Sequence, residues 1–200
     1  MAPKRRIAEQ AKVAALEQGA EYERIVFDRL DFSKADLSEC LFTECSFENV
    51  RFTNARLNAA TFRDCNLSNT SFAGANLFST RFEDSKLLGA AFDEAETTTG
   101  LTFSRCNLTY ASFRGLDLSH VEFTKCLLVE ADLSLTNLTG ASFVDADVSN
   151  MSFREAKFSD TDFRGAILTG MNLKRDELRG IIITRQQFAD LAHEIGITIG

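Results

Sequence analysis

The chain has one proline, Pro3, no tryptophan, two tyrosines and two histidines, and no Gly-rich, Ser-rich or charge-block segment. The missing proline and glycine runs exclude a flexible linker, so the chain offers no point at which to divide it into separate domains. No stretch approaches the ~18 apolar residues of a membrane span. Glu9, Gln10 and Lys12 interrupt the leader where a secretory signal would need its apolar segment, and the expected location is cytoplasmic. With two histidines, His120 and His193, and no phosphate loop or nucleophile elbow, the chain shows no catalytic constellation, and neither metal nor cofactor is expected. Net charge is −7, which excludes non-specific nucleic-acid binding through clustered Lys and Arg.

What the chain does have is a ruler. Thirty-one aromatic or aliphatic residues recur every five positions, from Phe27 to Phe92 and again from Phe103 to Ile183, with one extra residue between the two runs. Sixteen of the eighteen phenylalanines lie on it. A strict short period with neither helical nor alternating-strand harmonics marks a solenoid, whose coils bury their apolar side only against neighbouring coils. Two residues before most of these centres stands a small or apolar residue, as in Ala35, Cys45, Ala55, Ala75 and Ala111, and the two after it are mostly polar. Two inward positions in every five suit a square coil.

This motif closely resembles the pentapeptide repeat family, over about four fifths of the chain. The resemblance implies an all-β, right-handed quadrilateral β-helix of about eight coils, four pentapeptides and twenty residues per coil. Stepping by twenty from Phe42 supports that count independently: it meets Phe62 and Phe82, then, after the extra residue, Phe103, Phe123, Phe143 and Phe163. At ~4.8 Å per coil the rod would be about 38 Å long. The expected division is a cap or tail over 1–21, the β-helix over 22–184 with a small bulge near 94–101, and a tail over 185–200.

Residues 5–18 read as a capping helix, with Ile7, Val13 and Leu16 on one side and Gly19 to stop it; a flexible basic tail is the alternative. At the other end, Thr184-Arg-Gln-Gln has the capping-box pattern and opens a helix to about Glu194. The last fourteen residues, from Gln187 to the closing Ile-Gly-Ile-Thr-Ile-Gly, resemble the C-terminus of the Qnr and MfpA group of the family. That resemblance implies a homodimer through Phe188, Leu191, Ala192, Ile195, Ile197 and Ile199. It also implies binding to DNA gyrase or topoisomerase IV by DNA mimicry, inhibiting the enzyme or protecting it from fluoroquinolones or toxins. A scaffold β-helix with an unrelated protein partner is the alternative.

Three surface features are candidates for partner contact. Glu44, Asp64 and Asp84 stack on one face, with Glu83, Asp93, Glu94 and Glu96 nearby; they form either a phosphate-mimicking ladder or a solvated face neutralised by Arg63 and Arg81. The bulge places Thr97 at a centre and presents Thr98, Thr99 and Gly100 beside it. Leu88, Tyr110, Leu127, Val129 and Leu135 occupy outward positions and form either a partner patch or side chains tucked in at corners. Mimicry meets a quantitative limit: duplex DNA carries a charge every ~1.7 Å, or about 22 over such a rod, whereas residues 21–184 hold 17 basic and 25 acidic side chains, a balance of −8. The five cysteines all take the small inward position, which favours packing over redox or metal chemistry.

Overall fold

The computed structural model describes residues 5–6, 13, 16–171 and 179–194. The chain winds as a β-solenoid of about eight coils. Among the described residues the strands are short: β1 (Arg5–Arg6), β2 (Glu21–Glu23), β3 (Ile25–Val26), β4 (Leu41–Thr43), β5 (Thr61–Arg63), β6 (Arg81–Glu83), β7 (Thr102–Ser104), β8 (Glu122–Thr124), β9 (Thr161–Asp162) and β10 (Ile181–Ile182). One face is the parallel ladder β2-β4-β5-β6-β7-β8. Its register pairs Phe42 with Phe62, Phe62 with Phe82, Phe82 with Phe103 and Phe103 with Phe123. Single parallel bridges continue the other faces, each joining a residue to the one a coil away.

The centres form the core. Twelve phenylalanines, from Phe27 to Phe123, are at most 1 % exposed. Along the ladder the rings of Phe42, Phe62, Phe82, Phe103 and Phe123 stack at 5.1 Å centroid spacing and within 15° of parallel. Neighbouring faces meet edge-on, as Phe103 does with Phe92 at 89° and Phe113 at 84°. Offset stacks and edge-to-face contacts are the arrangements the ring quadrupole favours.

What turns the coil is a backbone habit that the polar reading of the two residues after the centre does not contain. The second residue after every described centre from Phe27 to Leu168 has positive φ, as in Asn49 (58°), Asn54 (56°), Gly74 (68°), Tyr110 (62°) and Gly170 (71°). On most corners the centre carbonyl then accepts the N–H three residues on, as Phe32 O does from Ala35. That combination is a type II turn, which requires a left-handed third residue.

The corner after Phe62 and Phe82 lacks this bond, and there the cysteine column has a second role. Cys65 Sγ donates to Phe42 O and Arg63 O, Ser85 Oγ to Phe62 O and Glu83 O, and Cys106 Sγ to Phe82 O and Ser104 O. Cys65 N–H donates in turn to Ser85 Oγ, and Cys106 N–H to Cys126 Sγ. The column packs and also adds a second hydrogen bond at carbonyls already in the ladder, since Arg63 O, Glu83 O and Ser104 O accept the N–H of Glu44, Asp64 and Asp84. All five thiols are free and buried. Contact with Cys106 and burial push the Cys126 thiol up, and burial does the same for Cys40.

Two expectations are corrected here. The leader does not begin as a helix at residue 5: Arg5–Arg6 is a strand paired in parallel with Ile25–Val26, twenty residues on, so the leader enters in coil register. Val13 is buried and its carbonyl accepts the Leu16 N–H at 3.2 Å, and positions 7–12, 14 and 15 lie outside the described residues. Second, Thr97 is not a centre. Thr97 bridges Asn76, and Thr98 takes the inward place, buried, its hydroxyl donating to Asp117 O. Glu96 N–H bonds Ala75 O while Thr97 O accepts from Leu77 N–H. Residues 96 and 97 therefore share the place opposite Asn76, the two-for-one pattern of a β-bulge.

The C-terminal helix α1 (Arg185–Glu194) starts at the expected capping box: Gln187 N–H donates to Thr184 Oγ1, and Thr184 N–H to Gln187 Oε1. The same amide donates from Nε2 to Phe163 O and Ala166 O. In a continuing coil Ala166 O would receive the backbone N–H of residue 187, as Ala146 O receives that of Ile167. A side chain thus completes the ladder where the backbone leaves it, covering an edge that would otherwise invite pairing with another chain.

Candidate interaction surfaces

The acidic ladder is assembled as expected, but with partners. The left-handed corner column that carries it reads Arg24, Glu44, Asp64, Asp84, Arg105 through successive coils. Arg24 forks onto Glu44, Nε to Oε2 at 3.0 Å and Nη2 to Oε1 at 3.1 Å. Arg105 forks onto Asp84 at 2.6 and 2.7 Å, and Arg63 meets Glu83 at 2.9 Å. Of the two arginines expected to neutralise this face, Arg63 does so, whereas Arg81 makes no ion pair among the described residues. Arg24 and Arg105 take its place. Asp64 alone of the ladder carries no side-chain hydrogen bond or ion pair there. Asp93 is also engaged, accepting from Ser112 Oγ and from Arg114 N–H.

Cross-coil pairing recurs at the N-terminal end, where Arg51 and Arg56 meet Asp31 and Asp36. Bonds from Arg51 and Ser33 hold the Asp31 carboxyl at about 2. Asp36, Asp84 and Asp162 are lowered by Ser38, Arg105 and Arg164 respectively. Because these folded-state values lie below the unfolded one, their stabilisation is present above about pH 4 and is lost as pH falls toward 2. The pairs are largely exposed, so each contributes little, and less in salt. Melting temperature is expected to stay flat from pH 8 to 5 and to drop below pH 4, by less in 0.5 M NaCl. An unchanged melting temperature at pH 2.5 would assign these pairs no net role.

At the bulge, Glu94, Glu96, Thr99 and Gly100 are exposed, Thr97 is half-buried and Thr98 is buried. The extra residue opens a shallow depression beside it, lined by Glu96, Thr97, Thr99, Asp117, Ser119 and His120. Sequence reading did not group the last three with the bulge, because their proximity depends on a register of about twenty residues. The bonds from Ser119 hold the Asp117 carboxyl below its ordinary range. Among the described residues no cluster of three His, Cys, Asp or Glu side chains could hold a metal ion.

The apolar residues do not tuck in. Leu88, Tyr110, Leu127 and Leu135 are 41, 57, 46 and 42 % exposed, and Val129 is half-buried. Leu88, Tyr110, Leu127 and Val129 share one face over three consecutive coils, and Leu135 stands at the next corner. Of the expected dimer residues, Phe188 is 59 % exposed, Leu191 is half-buried and Ala192 is buried. Ile195, Ile197 and Ile199 lie outside the described residues. No described helix is long and apolar enough to cross a membrane.

Among curated proteins none matches the sequence. The solved structure of full-length QnrB1, a plasmid-mediated fluoroquinolone resistance protein, is similar in fold, at 26 % identity and TM-score 0.66 over 97 % of this chain and 96 % of that one. A trypsin-treated QnrB1 variant superimposes at TM-score 0.84 and 24 % identity over 92 % and 91 %. The model of the pentapeptide repeat region matches residues 18–92, and that of pentapeptide repeats matches stretches from 99 to 170. Left-handed corners every five residues, stacked centres every twenty and these two matches together make the chain a member of the pentapeptide repeat family.

Proposed function

We propose that this protein is a non-enzymatic, cytoplasmic interaction module that binds a type II topoisomerase, DNA gyrase or topoisomerase IV, and alters the enzyme's response to fluoroquinolones or natural topoisomerase poisons. The observation that carries this is the likeness to full-length QnrB1 across nearly all of both chains. A regular β-helix also lacks the cleft that small-molecule sites prefer, which favours protein contact over catalysis. Phe188 and Leu191 support a homodimer through the C-terminal segment.

The mode of contact differs from a ladder of phosphate mimics. Glu44, Glu83 and Asp84 already have guanidinium partners at 2.6–3.0 Å, so they offer little free negative charge to a basic surface. Among the described residues the candidate acids without a side-chain hydrogen bond or ion pair are Asp64, Glu94 and Glu96, and recognition then rests on rod shape, the bulge and the apolar face. The same neutralised ladder favours the second reading, a scaffold with another protein partner. The purified protein is expected to change gyrase supercoiling at micromolar or lower concentration, alone or with a fluoroquinolone present. Silence toward both gyrase and topoisomerase IV would leave the scaffold reading.

A further inference from the structure

Tyr110 is a residue that folding does not account for. Its corner column reads Arg29, Asn49, Asn69, Gly89, Tyr110, Glu130, Asn150, Gly170, in which Tyr110 is the one aromatic side chain, where glycine and asparagine are the residues that best tolerate left-handed backbone. Tyr110 holds φ 62° with a side chain that disfavours it, and at 57 % exposure it recovers little by burial. Leu88 stands where the adjacent coils place Ser68 and Thr109, and Leu127 where they place Asn107 and Asp147. Strain and exposed apolar surface at one place point to a role outside the fold.

The surroundings define what covers it. The row exposes a few hundred Å² at most, well under the roughly 800 Å² per partner of a stable dimer. The coils on either side are polar, with Asn66, Ser68 and Asn69 below and Asp147, Ser149 and Asn150 above, so a second copy stacked on this face would bury mostly amides and hydroxyls. The two edges carry opposite net charge over these coils. On one, Asp84 and Arg105 pair with each other and Lys86 and Lys125 remain; Glu130, whose Oε1 accepts the Tyr110 hydroxyl at 3.3 Å, lies on the other, with Asp93 around its corner beside Ser112. Three extended residues between corners span ~10 Å, close to the width of an α-helix.

Resting on the topoisomerase reading above, we propose that Leu88, Tyr110, Leu127 and Val129 seat an amphipathic helix of the topoisomerase, with Tyr110 as the anchor. The helix lies along the rod, its apolar stripe on the row, basic residues on the flank toward Glu130 and Asp93, and acidic residues on the flank toward Lys86 and Lys125. Buried aromatic anchors ringed by polar contacts carry most of the energy in such interfaces.

The test uses the full chain with DNA gyrase holoenzyme in a supercoiling assay. Tyr110→Glu combined with Leu127→Glu is expected to raise the concentration needed for half-effect at least tenfold. Tyr110→Asn is the sharper variant: asparagine suits the left-handed corner, so melting temperature should hold or rise while potency falls. A merely structural tyrosine would lose both or neither. Wild type that acts, with both variants equally potent, overturns this proposal and leaves the topoisomerase reading standing. Wild type silent on gyrase and topoisomerase IV overturns both, a failure recognised by the wild type itself. A drop in oligomeric state on sedimentation of the variants would assign the face to a second copy and overturn the helix.

Discussion

Phe103→Ala is expected to destabilise the protein by about 3–5 kcal/mol, the range for emptying an aromatic site in a close-packed core. Phe103 is 1 % exposed and lies at the middle of the rod. Its ring stacks between Phe82 and Phe123, each at 5.1 Å, and meets Phe92 and Phe113 edge-on at 5.5 and 5.7 Å. In a globular core neighbours from several directions can relax into a cavity. Here each ring is held by the ~4.8 Å spacing of paired strands, and the backbone ladder of Phe82–Phe103–Phe123 prevents the coils from closing the gap. Because a solenoid is stabilised by contacts between adjacent coils only, a defect at this level weakens the one connection between the two halves. Phe103→Leu retains most of the volume and should cost about 1.5 kcal/mol or less, whereas Phe103→Asp places an unpaired charge among rings and should leave no cooperative transition spanning the rod. Urea unfolding of the three variants checks the order. An alanine variant within about 1 kcal/mol of wild type would mean that the stack is not the source of stability.

The stack was legible because a period of five repeated four times is twenty, and a residue twenty positions away is then a spatial neighbour. Phe42 to Phe163 could be placed on one face without coordinates. The same arithmetic applied to the leader would have paired Arg5–Arg6 with Ile25–Val26; scattered apolar residues at helical spacing obscured it. The bulge was located but misaligned by one residue. Stepping by five from Phe92 reaches Thr97, and nothing local distinguishes Thr97 from Thr98, since both are threonines. The left-handed column resolves it, because Gly100 stands two after Thr98. Glycine and asparagine recurring two residues after the centres, as at Asn49, Asn54, Gly74, Gly89 and Gly140, were the available signal for that column. The partners of the acidic ladder were harder to read. Arg24 and Arg105 are a full coil from Glu44 and Asp84, and which of several nearby arginines reaches a carboxylate depends on rotamers rather than register.

Gly180→Ala is expected to release the C-terminal cap, at a cost of about 2–4 kcal/mol, as a positive φ and a steric clash coincide there. Gly180 has φ 83°, and a Cβ would lie 2.8 Å from Phe158 O and 3.0 Å from Ser159 Cα. Both are backbone atoms of the preceding coil and cannot rotate away. Elsewhere the glycine corners are more forgiving: at Gly74 the nearest atom is Asn54 Oδ1, the end of a side chain that can swing out, and at Gly115 nothing lies within 4 Å. Gly115→Ala, with φ 76° and open space, therefore isolates the conformational part, about 1–2 kcal/mol. The extra loss at Gly180 measures the clash. Its consequences run in sequence, because Gly180 O accepts the Thr161 N–H at 3.0 Å and leads directly into β10 on β9. Displacing it draws Gln187 from the Phe163 and Ala166 carbonyls and exposes the edge of the last coil. Trypsin should then cut Gly180→Ala after Arg179 or Arg185 much faster than Gly115→Ala, at equal temperature and with the Phe stack intact by circular dichroism. If the two variants melt and are cut alike, the cap is held by α1 and its capping box alone, and the close approach at Gly180 is not what docks the C-terminal segment on the rod.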